Sequence, residues 1–260
     1  MVKVVSLRRD GGGDDNNNDK ATDTAHPPTT ERQDAHDAGR TDASCEDIVV
    51  DAHFVARRLA HPVTPTVASR VTAEIVKYLM HARGQIACPF AMLDRTSKVT
   101  PAIGELCNAL SPSLFAAANP TIYLVFGQTP TSAVEAYAVR FPHVVAANDE
   151  VPEKHVAQCA RQALRALVEH ENALAQASGG SSETSLSVTS LHVMLYTAAF
   201  NGGAAPDGFL PKRGYRVSRV KTLQIELTHG ELGVGAKADE AVNEHAMWFA
   251  YRTAVRGDVS

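Results

Sequence analysis

The run TIYLVFG, Thr121–Gly127, constrains the fold more than any other stretch of the chain. Ile122, Tyr123, Leu124, Val125 and Phe126 follow one another with no polar break. A half-exposed strand would alternate polar and apolar residues. A continuous β-branched and aromatic run predicts a strand buried on both faces. What surrounds the run sets the fold class. Helical patterns dominate the first two thirds of the chain and strand patterns the last third. That order predicts an α+β domain with helices on one face of a mainly antiparallel sheet.

The first helix is expected after Thr64 or Thr66, either of which can cap it, with Pro65 in its first turn. Val71, Ile75, Leu79 and Ala82 recur at helical spacing. Gly84 and Pro89 then end the element. A second helix is expected over residues 100–118, with Ile103, Leu106, Leu110 and Leu114 on one stripe and Pro112 kinking or splitting it. The third spans Glu153–Ala177. Its main stripe is Val156, Ala160, Ala163, Leu167 and Leu174, with Leu164 and Val168 to one side. AYAVRF (136–141) reads as a short edge strand. After the flexible break SGGSSET, the segments LSVTSLHVMLYTAAF, YRVSRVKTLQIELTH and EHAMWFAYRTAV have strand lengths and patterns. Ile48, Val49 and Val50 suggest a short strand or helical turn.

Residues 1–45 are expected to be a disordered acidic and polar segment, because residues 10–45 offer almost no large apolar side chains to offset ordering entropy. Residues 46–260 then form a single domain. A formal net charge of -4 argues against a dedicated nucleic-acid binder, which carries a basic footprint. No apolar run reaches the ~18–20 residues that span a bilayer, and the start lacks the pattern of a signal peptide. A nuclear or cytosolic setting is therefore expected. There Cys45, Cys88, Cys107 and Cys159 would be thiols.

Three constellations invite chemistry. GELGVGAK (230–237) resembles a phosphate loop but lacks the Lys-Ser/Thr ending, since Ala238 follows Lys237. His155 and Cys159 have the spacing of a metal pair on a helix. A zinc site needs three or four ligands, and His170 is about two turns away. No nucleophile elbow is present. The basic stretch with Lys212, Arg213, Arg216, Arg219 and Lys221 offers only Tyr215 for base stacking, so a protein partner suits it better than a nucleic acid.

Four stretches together resemble one family. IVKYLMHARGQIACPFAML, NPTIYLVFGQTPTSAVEAY, FLPKRGYRV and EHAMWFAYRTAVRG look like the helix, central strand, Pro-Lys strand and last strand of the comet family, the binding partners of the spindle-checkpoint protein Mad-two. The similarity is scattered over residues 63–257. It implies a HORMA-like fold, with three helices packed on a mainly antiparallel sheet and a C-terminal safety-belt region. It also implies a last strand held within the protein's own belt, anchored here by Trp248 and Phe249.

The function implied is that of a non-enzymatic adaptor without cofactor or metal. Such a protein docks on the closed conformer of Mad-two, mimicking a Mad-two dimer. It delivers Mad-two to a hexameric AAA+ ATPase of the thyroid-receptor-interacting, pachytene-checkpoint type. The ATPase opens Mad-two and silences the spindle assembly checkpoint. The setting would be nucleus and cytoplasm, with spindle or kinetochore association in mitosis. No nucleic acid or membrane is implied as a partner.

By resemblance, Leu164 stands where the family has its docking aromatic, with Val168 beside it and Arg161 and Arg165 flanking. Arg83 fits the end of the first helix, where Ala82 replaces a family glutamine. Pro211 and Lys212 match the pair that meets the ATPase. The alternatives are a HORMA-type scaffold of meiosis or DNA repair that captures a peptide in an open belt, and a nucleic-acid- or phosphate-binding module on the basic stretch.

Overall fold

The computed structural model describes residues 3–5, 52–94, 97–146, 151–177, 190–198, 205–216, 222–230 and 246–257. Ile48, Val49 and Val50, most of the polar N-terminal segment, Arg219, Lys221 and residues 231–237 of the glycine-rich loop lie outside them.

A single sheet organises the domain. Its strands in chain order are β1 (Lys3–Val5), β2 (Ala52–Arg58), β3 (Thr121–Gly127), β4 (Ala133–Arg140), β5 (Ser190–Thr197), β6 (Phe209–Pro211), β7 (Thr222–Thr228), β8 (Met247–Tyr251) and β9 (Val255–Arg256). In space they run β1-β2-β7-β4-β3-β5-β8-β6, with β9 paired to β5. Every pairing is antiparallel except the two that β7 makes with β2 and β4. The expected α+β class with a mainly antiparallel sheet is therefore present.

TIYLVFG is β3, between β4 and β5, and Ile122, Leu124, Val125 and Phe126 are buried. AYAVRF is not an edge strand. It is the body of β4, which starts earlier, at Ala133, and is hydrogen-bonded to β3 and β7. The buried run Ala136–Tyr137–Ala138–Val139 suits that interior place. Its small alanines obscured the strand pattern. Gly127 ends β3 because the β3–β4 hairpin folds back on it. A Cβ there would lie 2.6 Å from the Ser132 carbonyl oxygen.

The helices are α1 (Pro65–Ala82), α2 (Val99–Ala109), α3 (Pro112–Ala118) and α4 (Glu153–Ala177). Thr64, not Thr66, caps α1. Its hydroxyl accepts from the Val67 N–H at 3.3 Å, and Pro65 opens the helix. The expected second helix is two, because Pro112 starts a new helix after Leu110 and Ser111. Asn119, at φ 38°, ends α3 in the left-handed region that asparagine tolerates. Among the described residues no helix is long and apolar enough to cross a membrane.

One continuous core joins the helices to one face of the sheet. It contains Val71, Ile75 and Leu79 of α1, Ile103 and Leu106 of α2, Val156, Ala163 and Leu167 of α4, and the alternate strand residues Leu124, Val139, Leu195, Ile225 and Phe249. The opposite sheet face carries a smaller cluster of Val125, Ala136, Met194 and Tyr215, with Tyr123 and Trp248 packed on it. The segment YRVSRVKTLQIELTH does not form one strand: Tyr215 belongs to this second cluster, and β7 begins only at Thr222. Lys3–Val5 lies inside the segment expected to stay outside the core, and pairs along β2.

Candidate partner-binding faces

Helix α4 presents the first set of site residues. Positions 161, 164, 165 and 168 fall on one helical row. Leu164 is half-buried against the main core, while Val168 is 39% exposed. Arg161 is exposed. Arg165 is held along the helix by Glu169, at 3.5 Å. The row is thus an apolar centre with cationic flanks, carried by a helix whose other side packs on α1 and β2.

Arg83 does not join that row as a free cation. Its side chain is 15% exposed and sits at the end of α1 between β4 and α4. Its Nε and Nη2 fork onto the Glu135 carboxylate at 2.6 and 3.0 Å, and Nη2 reaches Glu171 Oε1 at 2.8 Å and the Tyr137 hydroxyl. Tyr137 donates to Glu135 Oε1 at 2.6 Å, and Tyr78 to Glu171 Oε2 at 2.5 Å. Burial alone would lower the pKa of the guanidinium, but Glu135, Tyr137 and Glu171 outweigh it and push it up. Burial, reinforced by the carboxylates, pushes both phenols well above the ordinary tyrosine range. The guanidinium therefore stays charged and both phenols stay protonated at neutral pH. The network ties α4, at Glu171, to α1 and β4. Glu135 and Glu171 carry no local sequence signal for this, because their partners are distant in the chain.

The second set lies at the other end of the sheet. Pro211 closes β6 opposite Phe249, and the Lys212 N–H donates to the Trp248 carbonyl at 2.7 Å. Pro211, Lys212, Arg213 and Arg216 are exposed. Trp248 and Phe249, adjacent in β8, point to opposite faces. Phe249 enters the main core at 2% exposure. Trp248 lies in an aromatic cluster, its ring 4.9 Å from Tyr123, 4.8 Å from Tyr196 and 4.9 Å from Tyr215. Strand β8 is therefore gripped on both sides of the sheet.

The chemistry candidates lead elsewhere. The His155 ring stacks on His61 at 3.9 Å, and Cys159 and His170 are buried. Among the described residues no group of three or more His, Cys, Asp or Glu is arranged to hold a metal. A groove of about 360 Å³ between α1, α2 and the start of α4 is lined by Arg70, Lys77 and Cys107. Both cations are already paired with Glu74. Burial pushes the Cys107 thiol up to about 11, so the nucleophilic thiolate is scarce at neutral pH. Comparison with protein-family models gives no match, and neither does comparison with curated proteins.

Proposed function

We propose that this chain is a HORMA-type adaptor of the comet kind. It docks the closed conformer of Mad-two on the Leu164–Val168 side of α4 and offers Pro211–Lys212 to a hexameric AAA+ ATPase. It performs no chemistry itself. The observation that carries the reading is the place of β8. This late strand is hydrogen-bonded between β5 and β6, so the domain fills its own C-terminal slot. A peptide-capturing scaffold would leave such a slot to a partner. Two further features support the reading: an exposed apolar residue flanked by arginines on one long helix, and a Pro-Lys turn on a distant edge of the sheet.

The test uses two variants. Val168 is 39% exposed, so Val168→Asp leaves the core intact. It is expected to weaken binding to closed Mad-two by ~2 kcal/mol or more in calorimetry, as truncation of an interface centre does. Leu164→Asp should act in the same direction, with some loss of stability because it also touches the core. Lys212→Ala should spare Mad-two binding and impair ATPase-driven Mad-two opening. Full Mad-two affinity in both α4 variants would overturn the docking face. Normal opening with Lys212→Ala would overturn the adaptor role of the turn.

A further inference from the structure

We propose that residues 211–216 form a rigid cationic platform for an acidic protein segment, with Tyr215 as its positioning residue. The proposal rests on the adaptor reading for its partner and on the aromatic cluster for its geometry. Three constraints fix the segment. Pro211 has a restricted φ and pairs with β8, and the Lys212 N–H is bonded to Trp248. Gly214 adopts φ 70°, a turn that a side chain would strain. Tyr215 then dives back into the protein: it is 5% exposed, its ring meets Trp248 edge-on at 73°, and its hydroxyl donates to the Pro130 carbonyl at 3.1 Å.

Tyr215 thus pins the far end of a short segment whose near end is pinned by β8. Between and beside the pins stand Lys212, Arg213 and Arg216, all exposed. None of the three forms an ion pair among the described residues. Cations carried on a pinned backbone lose less freedom when they meet carboxylates, which favours recognition. Nucleic acid is the poorer match. The one aromatic among these cations is buried against Trp248 and has no face for a base.

Limited trypsin digestion of the full chain tests the pin directly, because trypsin cuts after Lys212 and Arg213 only when the segment can leave the surface. Tyr215→Ala should speed those cuts on the order of 10-fold, as local opening becomes easier. Tyr215→Phe keeps the ring and should stay near wild type. If the alanine variant unfolds, Tyr215→Leu repeats the test with the apolar volume retained. In the functional arm, Tyr215→Ala and Arg213→Glu should each slow ATPase-driven Mad-two opening while Mad-two affinity is unchanged.

Wild-type cutting rates in Tyr215→Ala would overturn the pin. Normal opening in Tyr215→Ala, where Lys212→Ala fails, would overturn the positioning role while leaving the adaptor reading intact. Normal opening with Lys212→Ala would sink the adaptor reading, yet faster cutting in Tyr215→Ala would still establish the pin. Binding to a synthetic DNA duplex that weakens alike in Lys212→Ala, Arg213→Ala and Arg216→Ala would overturn the acidic-protein partner.

Discussion

The two faces of the sheet differ in how they are covered. Beneath the helices, alternate residues of β3, β4, β5, β7 and β8 merge with α1, α2 and α4 into one continuous core. On the other face a small cluster centres on Trp248 and holds down a short basic segment. Burial of apolar area scales with stability, so the first face sets how firmly the domain stands. The second sets where a few cations point. β8 shows both jobs within one dipeptide, because Phe249 serves the first face and Trp248 the second.

That pair gives the largest test of the comparison. Phe249→Ala empties a buried site and is expected to lower unfolding free energy by about 3–5 kcal/mol. Trp248→Ala, from a partly buried site, should cost about 1–2 kcal/mol, close to its area loss plus aromatic contacts. Urea denaturation of both variants measures the gap. Equal losses would mean that the two faces carry the fold equally.

A smaller effect sharpens the helical side. Arg83→Ala leaves Glu135 and Glu171 facing each other without their cation. Removing one member of a fully buried network costs about 3–5 kcal/mol, and the partial exposure of these carboxylates reduces the expectation to about 2 kcal/mol. Arg83→Lys should fall between, since an ammonium cannot reproduce the fork onto Glu135. If alanine at this position proves neutral in urea, α4 is held without the Arg83 ion pairs and Arg83 is available for partners.

The smallest effect belongs to the second face. His192 is held below the ordinary imidazole value of 6.5 by burial, against backbone hydrogen bonds at Gln128 and Gly127 that favour the cation. Its Nε2 is buried and has no hydrogen-bond partner among the described residues. The unfolded chain therefore takes up its proton first on acidification. The stability from this group is complete above pH 6.5 and drains away as pH falls towards the folded value. Wild type should lose about 2 °C more Tm than His192→Gln between pH 7.5 and 5.5. Parallel Tm curves would show that His192 titrates normally.

Local signals were legible in the sequence wherever neighbours in the chain are neighbours in space. Thr64–Pro65 and the Val71–Ile75–Leu79 stripe define α1, Pro112 divides α2 from α3, and Glu153–Ala177 is helical as the apolar spacing predicts. TIYLVFG gave the inner strand for the same reason. Order within the sheet was not legible. β4 looked like an edge because alanine is small, and only its pairing with β7 reveals an interior strand. Within the candidate sites, the α4 row follows from helical spacing. The partners of Arg83 and the edge-on contact of Tyr215 with Trp248 depend on contacts between distant segments. Tyr215 stood out as the one aromatic among the cations, but nothing local said that it turns inward.

β7 enters the middle of the sheet from late in the chain. His229, at its end, meets the Leu59 carbonyl 170 positions earlier. During synthesis, β2 and β4 would each wait with an open hydrogen-bonding edge until residues 222–228 have left the ribosome. Such closure is set by topology and is slow compared with forming a helix. Folding of this domain therefore waits for β7, and the unfinished N-terminal half is the form most in need of a chaperone.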